Sequence, residues 1–595
     1  MKSKIWVSTV VIVLMVSFIP IIIEIVPTVK APAILEVDDS GGKPYTSIQA
    51  AVDDAQLGDT VFVYSGVYYE DVTITITINL TGEDRDTTII NSTNLMGIYV
   101  TNADFVNISG FTVVNGSWAG IRLMPSNNSI VENNRVEMNS DGIQVIESNN
   151  TIIRDNIVLN NTDDGIYLGR STNVTVENNT CFNNDHDGIY IYENNYYNKI
   201  ISNNCSYNGH GIYLTTDSDN NFLKDNVVIS NDGPTLSHSG LYIAFSDNNV
   251  IINLTCLNNK YGLVMTSGLP DTITNYVINS TILNSINDNI WIGPESHGIF
   301  LNSTFDKNDI YYWDTISTLT NQWYLHVNVI DYLGNPVPYT NVKIDDNLNG
   351  SYNQTFITNP SGIIKWLPVT EYVEQDTTGD TIGEKTYYTP HRIIAWNDTL
   401  VGYAFPEPFM NKSKTITIIL YNGTLLDLKN GWNLISLPRL QSDTNLKIVL
   451  HSIEGRYDSV QLYNIIDVSD HWKHYHISKP SYMNDLNDIN HTMGFWLHIT
   501  DPLGTVLVVM GDEFKLDQNI SLYPGWNLVG YPSKSNKTRD VALDNLFFDT
   551  DIDSIWTYNA STEKWVKLDE ATDYFEIGKG YWVHSKVTKV WNVPL

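Results

Sequence analysis

The sequence predicts an all-β chain: a right-handed parallel β-helix followed by β-sandwich-type modules. Three observations predict it. A glycine-led tetrapeptide recurs at Gly97-Ile-Tyr-Val, Gly120-Ile-Arg-Leu, Gly142-Ile-Gln-Val, Gly165-Ile-Tyr-Leu, Gly188-Ile-Tyr-Ile, Gly211-Ile-Tyr-Leu, Gly240-Leu-Tyr-Ile and Gly262-Leu-Val-Met, and in degenerate form at Asn289-Ile-Trp-Ile. Its steps are 22 or 23 residues, with two longer ones of 29 and 27, so one small unit repeats with two loop insertions. After about Trp313 the period disappears, and a different duplication occupies the last part of the chain.

A period this short is too small for a helix pair or a propeller blade, and it fits a coil of three short strands. Within each unit the alternation sends Ile or Leu to one face, and Tyr, Arg or Gln to the other. Ile121, Ile143, Ile166, Ile189 and Ile212 should therefore stack as one interior ladder, about 4.8 Å apart. A second strand follows, as in Ile152-Ile153 and Ile200-Ile201, and after it an asparagine at Asn134, Asn156, Asn179, Asn203, Asn226 and Asn253. Stacked asparagines can hydrogen-bond along the axis and tolerate a left-handed turn, so these positions are expected to do both.

Residues 31–316 are assigned to the β-helix. Ile48, Ala51, Val52 and Ala55 recur at helical spacing ahead of the first coils, which suits an amphipathic cap over the open strand edges of a solenoid end. The runs Ser47-Ile-Gln-Ala-Ala-Val-Asp-Asp-Ala, Gly58-Asp-Thr, Gly66-Val-Tyr-Tyr-Glu and Leu80-Thr-Gly-Glu-Asp-Arg-Asp-Thr-Thr-Ile-Ile resemble the opening of NosD-like and pectate-lyase-like β-helix proteins. That resemblance implies the fold and no single activity, because the superfamily mixes lyases, hydrolases, epimerases, binding proteins and inactive scaffolds.

Residues 320–424 carry strand-like runs, Asn341-Val-Lys-Ile-Asp345 and Lys414-Thr-Ile-Thr-Ile-Ile-Leu420 among them, and resemble a transthyretin-like or carboxypeptidase-regulatory-like sandwich. Gly431-Trp-Asn-Leu-Ile-Ser-Leu-Pro438 returns as Gly525-Trp-Asn-Leu-Val-Gly-Tyr-Pro532, and Gly494-Phe-Trp-Leu497 as Gly580-Tyr-Trp-Val583. Two β-rich modules, 425–511 and 512–595, therefore lie in tandem and look like the Gly-Trp-Asn-Leu repeats of secreted and surface-layer-associated proteins. Trp432, Trp496, Trp526 and Trp582 are expected in the module cores, the alternative being a sugar-stacking face.

The net charge is −33, with 67 acidic against 34 basic residues, which excludes a nucleic-acid partner for the chain as a whole. The N-terminus carries Lys2 and Lys4 ahead of an apolar run from Ile5 to Ile23. Residues 1–30 thus form an export signal or an uncleaved anchor, which places the chain outside the cell and makes that segment its only link to a membrane. Sequons such as Asn79, Asn107, Asn173 and Asn253 suit a surface glycoprotein. Of the three cysteines, Cys181 and Cys205 should stack in neighbouring coils as buried free thiols, the alternative being a bridge between them; the third is Cys256.

One place before the repeat glycine the chain carries Ala119, Asp141, Asp164, Asp187, His210, Ser239 and Tyr261. Carboxylates in successive coils stand roughly 5 Å apart, where like charges raise one another's pKa unless water or a cation intervenes. Asp141, Asp164 and Asp187 are therefore the candidate metal ligands. Calcium is the ion they would take, and nothing in the sequence requires a cofactor. Beside them, Tyr167, Tyr190, Tyr213 and Tyr242 make an outward stripe and a candidate glycan surface. Asn161-Thr-Asp163, Asp185-His-Asp187 and Gly209-His-Gly211 resemble in order the motifs of polygalacturonase-type glycoside hydrolases, which implies Asp163, Asp164, Asp185, Asp187 and His210 as catalytic candidates. Asp164 and His186 interrupt those motifs, and no Arg-Ile-Lys element follows. A lyase would need an arginine base, and the middle coils offer Arg135, Arg154 and Arg170. Metal delivery would need a His/Met/Cys cluster, which is absent from the sequence. The favoured reading is a secreted or cell-surface β-helix that binds a polysaccharide or envelope glycan or serves as an adhesive scaffold; the alternative is a polysaccharide-degrading hydrolase or calcium-dependent lyase.

Overall fold

The computed structural model describes residues 31–233, 238–267, 272–346, 348 and 353–595. The export signal or anchor assigned to residues 1–30 lies outside these. The first half is a parallel β-solenoid with three sheets. One sheet of eleven strands carries the glycine-led tetrapeptides, from Val72–Ile74 to Ile310–Tyr312. A second, also of eleven strands, runs from Gly66–Tyr68 to Thr304–Phe305. The third starts at Ile34–Val37 and includes Ile130–Glu132, Ile152–Arg154 and Ser296–Leu301.

The interior follows from alternation. Ile98, Ile121, Ile143, Ile166, Ile189 and Ile212 are cross-rung partners and fully buried. Val131, Ile153, Val176, Ile200 and Leu223 do the same for the third sheet. In the second sheet Val158, Cys181, Cys205, Val228 and Cys256 form the ladder. All three cysteines are free and buried there, acting as small apolar core residues.

The corners are held by side chains. Asn156 Oδ1 accepts the backbone N–H of Asn134 at 3.0 Å, Asn179 Oδ1 that of Asn156 at 3.0 Å, and Asn203 Oδ1 that of Asn179 at 3.0 Å. The amide nitrogen returns a bond to the preceding coil and one within its own, Asn179 Nδ2 reaching Ile153 O at 2.9 Å and Glu177 O at 3.1 Å. A second ladder, Asn139, Asn161, Asn184, Asn208 and Asn231, is built the same way at the next corner. The ladder residues are not the left-handed ones. Asn133, Asp155, Asn178 and Ser202, each one place earlier, take φ of 53, 56, 56 and 54°. Asn253, expected in the ladder, is such a turn residue with φ 54°, and the ladder position behind it is Leu254, whose N–H goes to Ser280 Oγ. A short polar residue with φ above zero turns the chain, and the next side chain then points along the axis.

The repeat glycines are needed for space. A Cβ on Gly188 would stand 2.5 Å from Gly211 O and 2.9 Å from Cys205 Cβ. At the N-terminal end the helix Ile48–Asp54, capped by Ser47, buries Ile48, Ala51 and Val52 over the first coils. Glu70 accepts the N–H groups of Ile48 and Gln49 at 2.8 and 2.9 Å and so fixes the free end of the helix.

The solenoid has no linker at its far end. Strand Thr318–Asp331 begins as the last parallel rung on Ser296–Leu301 and continues into the sandwich, where it pairs antiparallel with Ile363–Gln375 and parallel with Lys414–Leu428. Lys414–Leu428 in turn pairs with Thr505–Met510 of the first tandem module. The duplicated segments Gly431–Ile435 and Gly525–Val529 occupy matching edges of two four-stranded antiparallel sheets.

Asn179→Ala removes the acceptor of the Asn156 N–H and the side-chain donor to Ile153 O, so it should cost about 1–3 kcal/mol. Asn178→Gly, at a turn that glycine adopts freely, should cost far less. Chemical denaturation of both variants checks this; equal midpoints would show that the ladder is dispensable.

Candidate functional site

The residue before each repeat glycine turns outward, because the glycine itself faces the interior. A Cβ on Gly142 would meet Val158 Cγ1 at 2.3 Å. Yet the column is not an open acidic strip. Asp141, Asp164, Asp187 and His210 are only 6, 5, 6 and 7% exposed. Each side chain lies along the solenoid axis and accepts a backbone N–H of the next coil: Asp164 N to Asp141 Oδ1 at 3.0 Å, Asp187 N to Asp164 Oδ1 at 3.1 Å, and His210 N to Asp187 Oδ1 at 3.3 Å. His210 Nδ1 accepts the N–H of Ser239 at 3.1 Å. Gln144 Nε2 donates to Asp141 Oδ2, and Arg122 Nη1 donates to Gln144 Oε1 at 2.6 Å.

Burial decides the charge of this column. It lifts the Asp141 carboxyl to about 6. It pushes Asp187 up to about 8, with the Asp163 carboxylate adding to the shift. Asp164 is driven well up by burial and then by Asp187 and Asp141 on either side. His210 is pushed down to about 3 by burial and the neighbouring His238, in keeping with an Nδ1 that accepts a hydrogen bond. Burial and the neighbouring carboxylates thus favour the protonated form in this column, most clearly at Asp187.

Asp163 and Asp185 lie in the turns ahead of the column. Asp163 is half-exposed and its Oδ1 is 2.7 Å from His186 Nδ1. Asp185 is exposed and has no side-chain partner among the described residues. One ligand atom from each of Asp163, Asp164 and His186 lies within 4.8 Å of the others. Among the described residues the column triad Asp141, Asp164 and Asp187 does not close into such a group.

Tyr167, Tyr190, Tyr213 and Tyr242 are consecutive cross-rung partners. They are half-buried, with ring centroids 5.6, 5.0 and 4.8 Å apart. His210 packs on two of them, at 5.0 Å from Tyr213 and 5.1 Å from Tyr242. The same outward position continues through Val264 to Trp291 and Tyr311, and the exposed Trp313 packs beside these. At the other end it carries Gln144, Arg122 and Tyr99, and the exposed Trp118 lies 4.1 Å beneath the Arg122 guanidinium. Trp118, two places before Gly120, carries no repeat signal of its own and escapes a reading by period.

The tandem-module tryptophans are a correction to the core assignment. Trp432, Trp496 and Trp582 are half-buried and Trp526 is exposed. Trp582 stands between Tyr581 and Val583, both fully buried, so strand alternation sends the indole outward.

Residues 52–232 match the family model of NosD, the periplasmic copper-binding protein. A search of curated proteins gave no match. Among solved structures, the chain is similar to the A-module of the Azotobacter vinelandii mannuronan C-5 epimerase AlgE4, with 18% identity, 44% of this chain and 90% of that one covered, and a TM-score of 0.36. It is also similar to an alginate lyase from Paenibacillus sp. FPU-7 (12% identity, 44% and 99% covered, TM-score 0.32) and to the catalytic unit of a GH87 α-1,3-glucanase from Streptomyces thermodiastaticus (18%, 49% and 67%, 0.35). The residues present do not fit copper. The cysteines are sealed in the coil interior, with burial pushing the Cys256 thiol up to about 12, and the cluster at Asp163 offers one imidazole with two carboxylates. No helix among the described residues is long and apolar enough to cross a membrane.

Asp187 holds its proton more tightly folded than unfolded, so the folded chain carries the extra proton between the ordinary carboxylate value of about 4 and about 8. Its contribution to stability is therefore lost as pH rises through that window. His210 acts oppositely, costing stability as pH falls from its ordinary value of about 6.5 toward about 3. Asp187→Asn keeps the acceptor for His210 N–H without a titrating proton. Relative to the parent, its thermal midpoint should climb steadily from pH 5 to pH 8; a constant difference would place an ionised Asp187 in the fold.

Proposed function

We propose that this chain is a secreted or cell-surface β-helix that binds a neutral polysaccharide or envelope glycan along the tyrosine stripe, without cleaving it. The observation that carries the reading is the unbroken column Tyr167, Tyr190, Tyr213 and Tyr242, held at rung spacing on the outer face of the glycine-led sheet. Flat aromatic rings with a hydroxyl tip offer a sugar both an apolar face and a hydrogen-bonding group. A rigid sheet sets them in place before the ligand arrives, so little ordering cost remains at binding. The net charge of −33 disfavours acidic chains and leaves neutral ones.

The same geometry supports binding over hydrolysis. Asp164, Asp187 and His210 each commit one polar atom to the next coil and are buried. The apolar run near the N-terminus and the periplasmic description of the matched family support an extracytoplasmic location.

Affinity electrophoresis of the full chain in gels containing glucan, xylan, mannan or polygalacturonate checks the reading, together with reducing-sugar and unsaturated-product assays. A neutral polymer should retard the protein with no product released. Tyr190→Ala with Tyr213→Ala should weaken retardation about tenfold, as expected for two aromatic contacts. Product release that vanishes in Asp163→Asn or Asp187→Asn would establish an enzyme instead.

A further inference from the structure

The two tandem modules face each other across a pseudo-dyad. Two isolated antiparallel bridges join them, Ile435 to Lys579 and Met493 to Val529, and the duplication exchanges one for the other. Trp496 of the first module packs on Tyr558 and Trp565 of the second at 5.1 and 5.6 Å. Reciprocally, Trp582 of the second packs on Tyr463 and Trp472 of the first at 5.1 and 6.0 Å. The outward indoles thus meet their partners across the module boundary, and this contact accounts for their partial burial.

One substitution between the copies breaks the symmetry. The residue opposite Trp496 on the neighbouring strand is Gln461, whereas the residue opposite Trp582 is Trp556. On that side Tyr463, Trp526, Trp556, Trp565 and Trp582 line an open cleft of about 590 Å³. Its rings are steeply inclined to one another, Trp526 and Trp582 by 83° at 6.4 Å and Tyr463 and Trp582 by 51° at 5.1 Å, so they offer several separate flat platforms. Trp526 and Trp565 are 39 and 49% exposed.

We propose that this cleft is a second carbohydrate site, taking a neutral oligosaccharide on its indole platforms, independent of the tyrosine stripe. Three features favour a sugar over an apolar peptide. The indole N–H groups of Trp526, Trp565 and Trp582 have no hydrogen-bond partner among the described residues, and a sugar hydroxyl supplies the acceptor that an aliphatic side chain lacks. The rim is polar, with His584 Nδ1 bonded to Asp553 Oδ1 at 2.7 Å beside Trp526, and the Lys567 amine 5.8 Å over Trp556. Hydroxyls at the edge of a stacked sugar meet such groups while its C–H face covers the ring. The strongly negative chain makes a neutral glycan the complementary one.

Titration calorimetry and tryptophan fluorescence on the full chain, with cellohexaose, maltohexaose, mannohexaose, xylohexaose and decaproline as probes, test the site. At least one hexasaccharide should bind and quench tryptophan emission. Trp556→Gln, which installs the residue of the first module, should weaken that binding at least tenfold with an unchanged thermal midpoint. Trp526→Ala, altering an exposed ring, should weaken it also, and Gln461→Trp should add a second quenching event. Tyr190→Ala with Tyr213→Ala should leave the quenching intact, so this site and the tyrosine stripe stand or fall separately. The proposal is overturned if none of the four hexasaccharides quenches, if Trp556→Gln binds as the parent does, or if decaproline alone occupies the cleft.

Discussion

Each coil of this solenoid turns corners at which backbone N–H groups face the interior, and a buried N–H without an acceptor is costly. The chain meets that demand with side chains of the following coil. Asn179 takes the N–H of Asn156 and is itself served by Asn203, so the coils are tied at the corners as well as along the strands. Everything displayed on the outer face depends on this registry. A slip between coils would move every tyrosine out of line with its neighbours.

The acidic column is the same device at another corner. Asp141, Asp164 and Asp187 accept the next coil's N–H, the reverse of the asparagines, which accept that of the preceding coil, and His210 closes the run with its Nδ1 on Ser239 N. Once buried and protonated, an aspartic acid differs little in shape from an asparagine. The geometry that stacks these carboxyls also withdraws them from solvent, and the surface left for a ligand is aromatic.

Much of the solenoid is legible from residue order alone, because alternation is local: Ile143 must face inward if Gln144 faces outward. What alternation does not report is the axial neighbour. Asn253 and Asn226 look alike in sequence, yet one bends the chain at positive φ and the other faces inward in the ladder. Asp187 reads as an outer-face residue and is one, but its burial comes from the coils above and below. The tryptophans show the same limit at larger scale. Trp496 and Trp582 sit at mirrored strand positions that suggest a core, and the element each packs against belongs to the other module. The difference between Gln461 and Trp556 is visible in the sequence, but it acquires meaning only when the two copies face each other.

Native-state hydrogen exchange resolved to single amides tests the corner ladders most directly, since it reads the bonds themselves. The N–H groups of Asn156, Asn161, Asn179 and Asn184, together with those of Asp164 and Asp187, should exchange as slowly as the strand amides of Ile166 and Ile189. Exchange at the rate of open turn amides would contradict the account, leaving the strands alone to hold the coils in register.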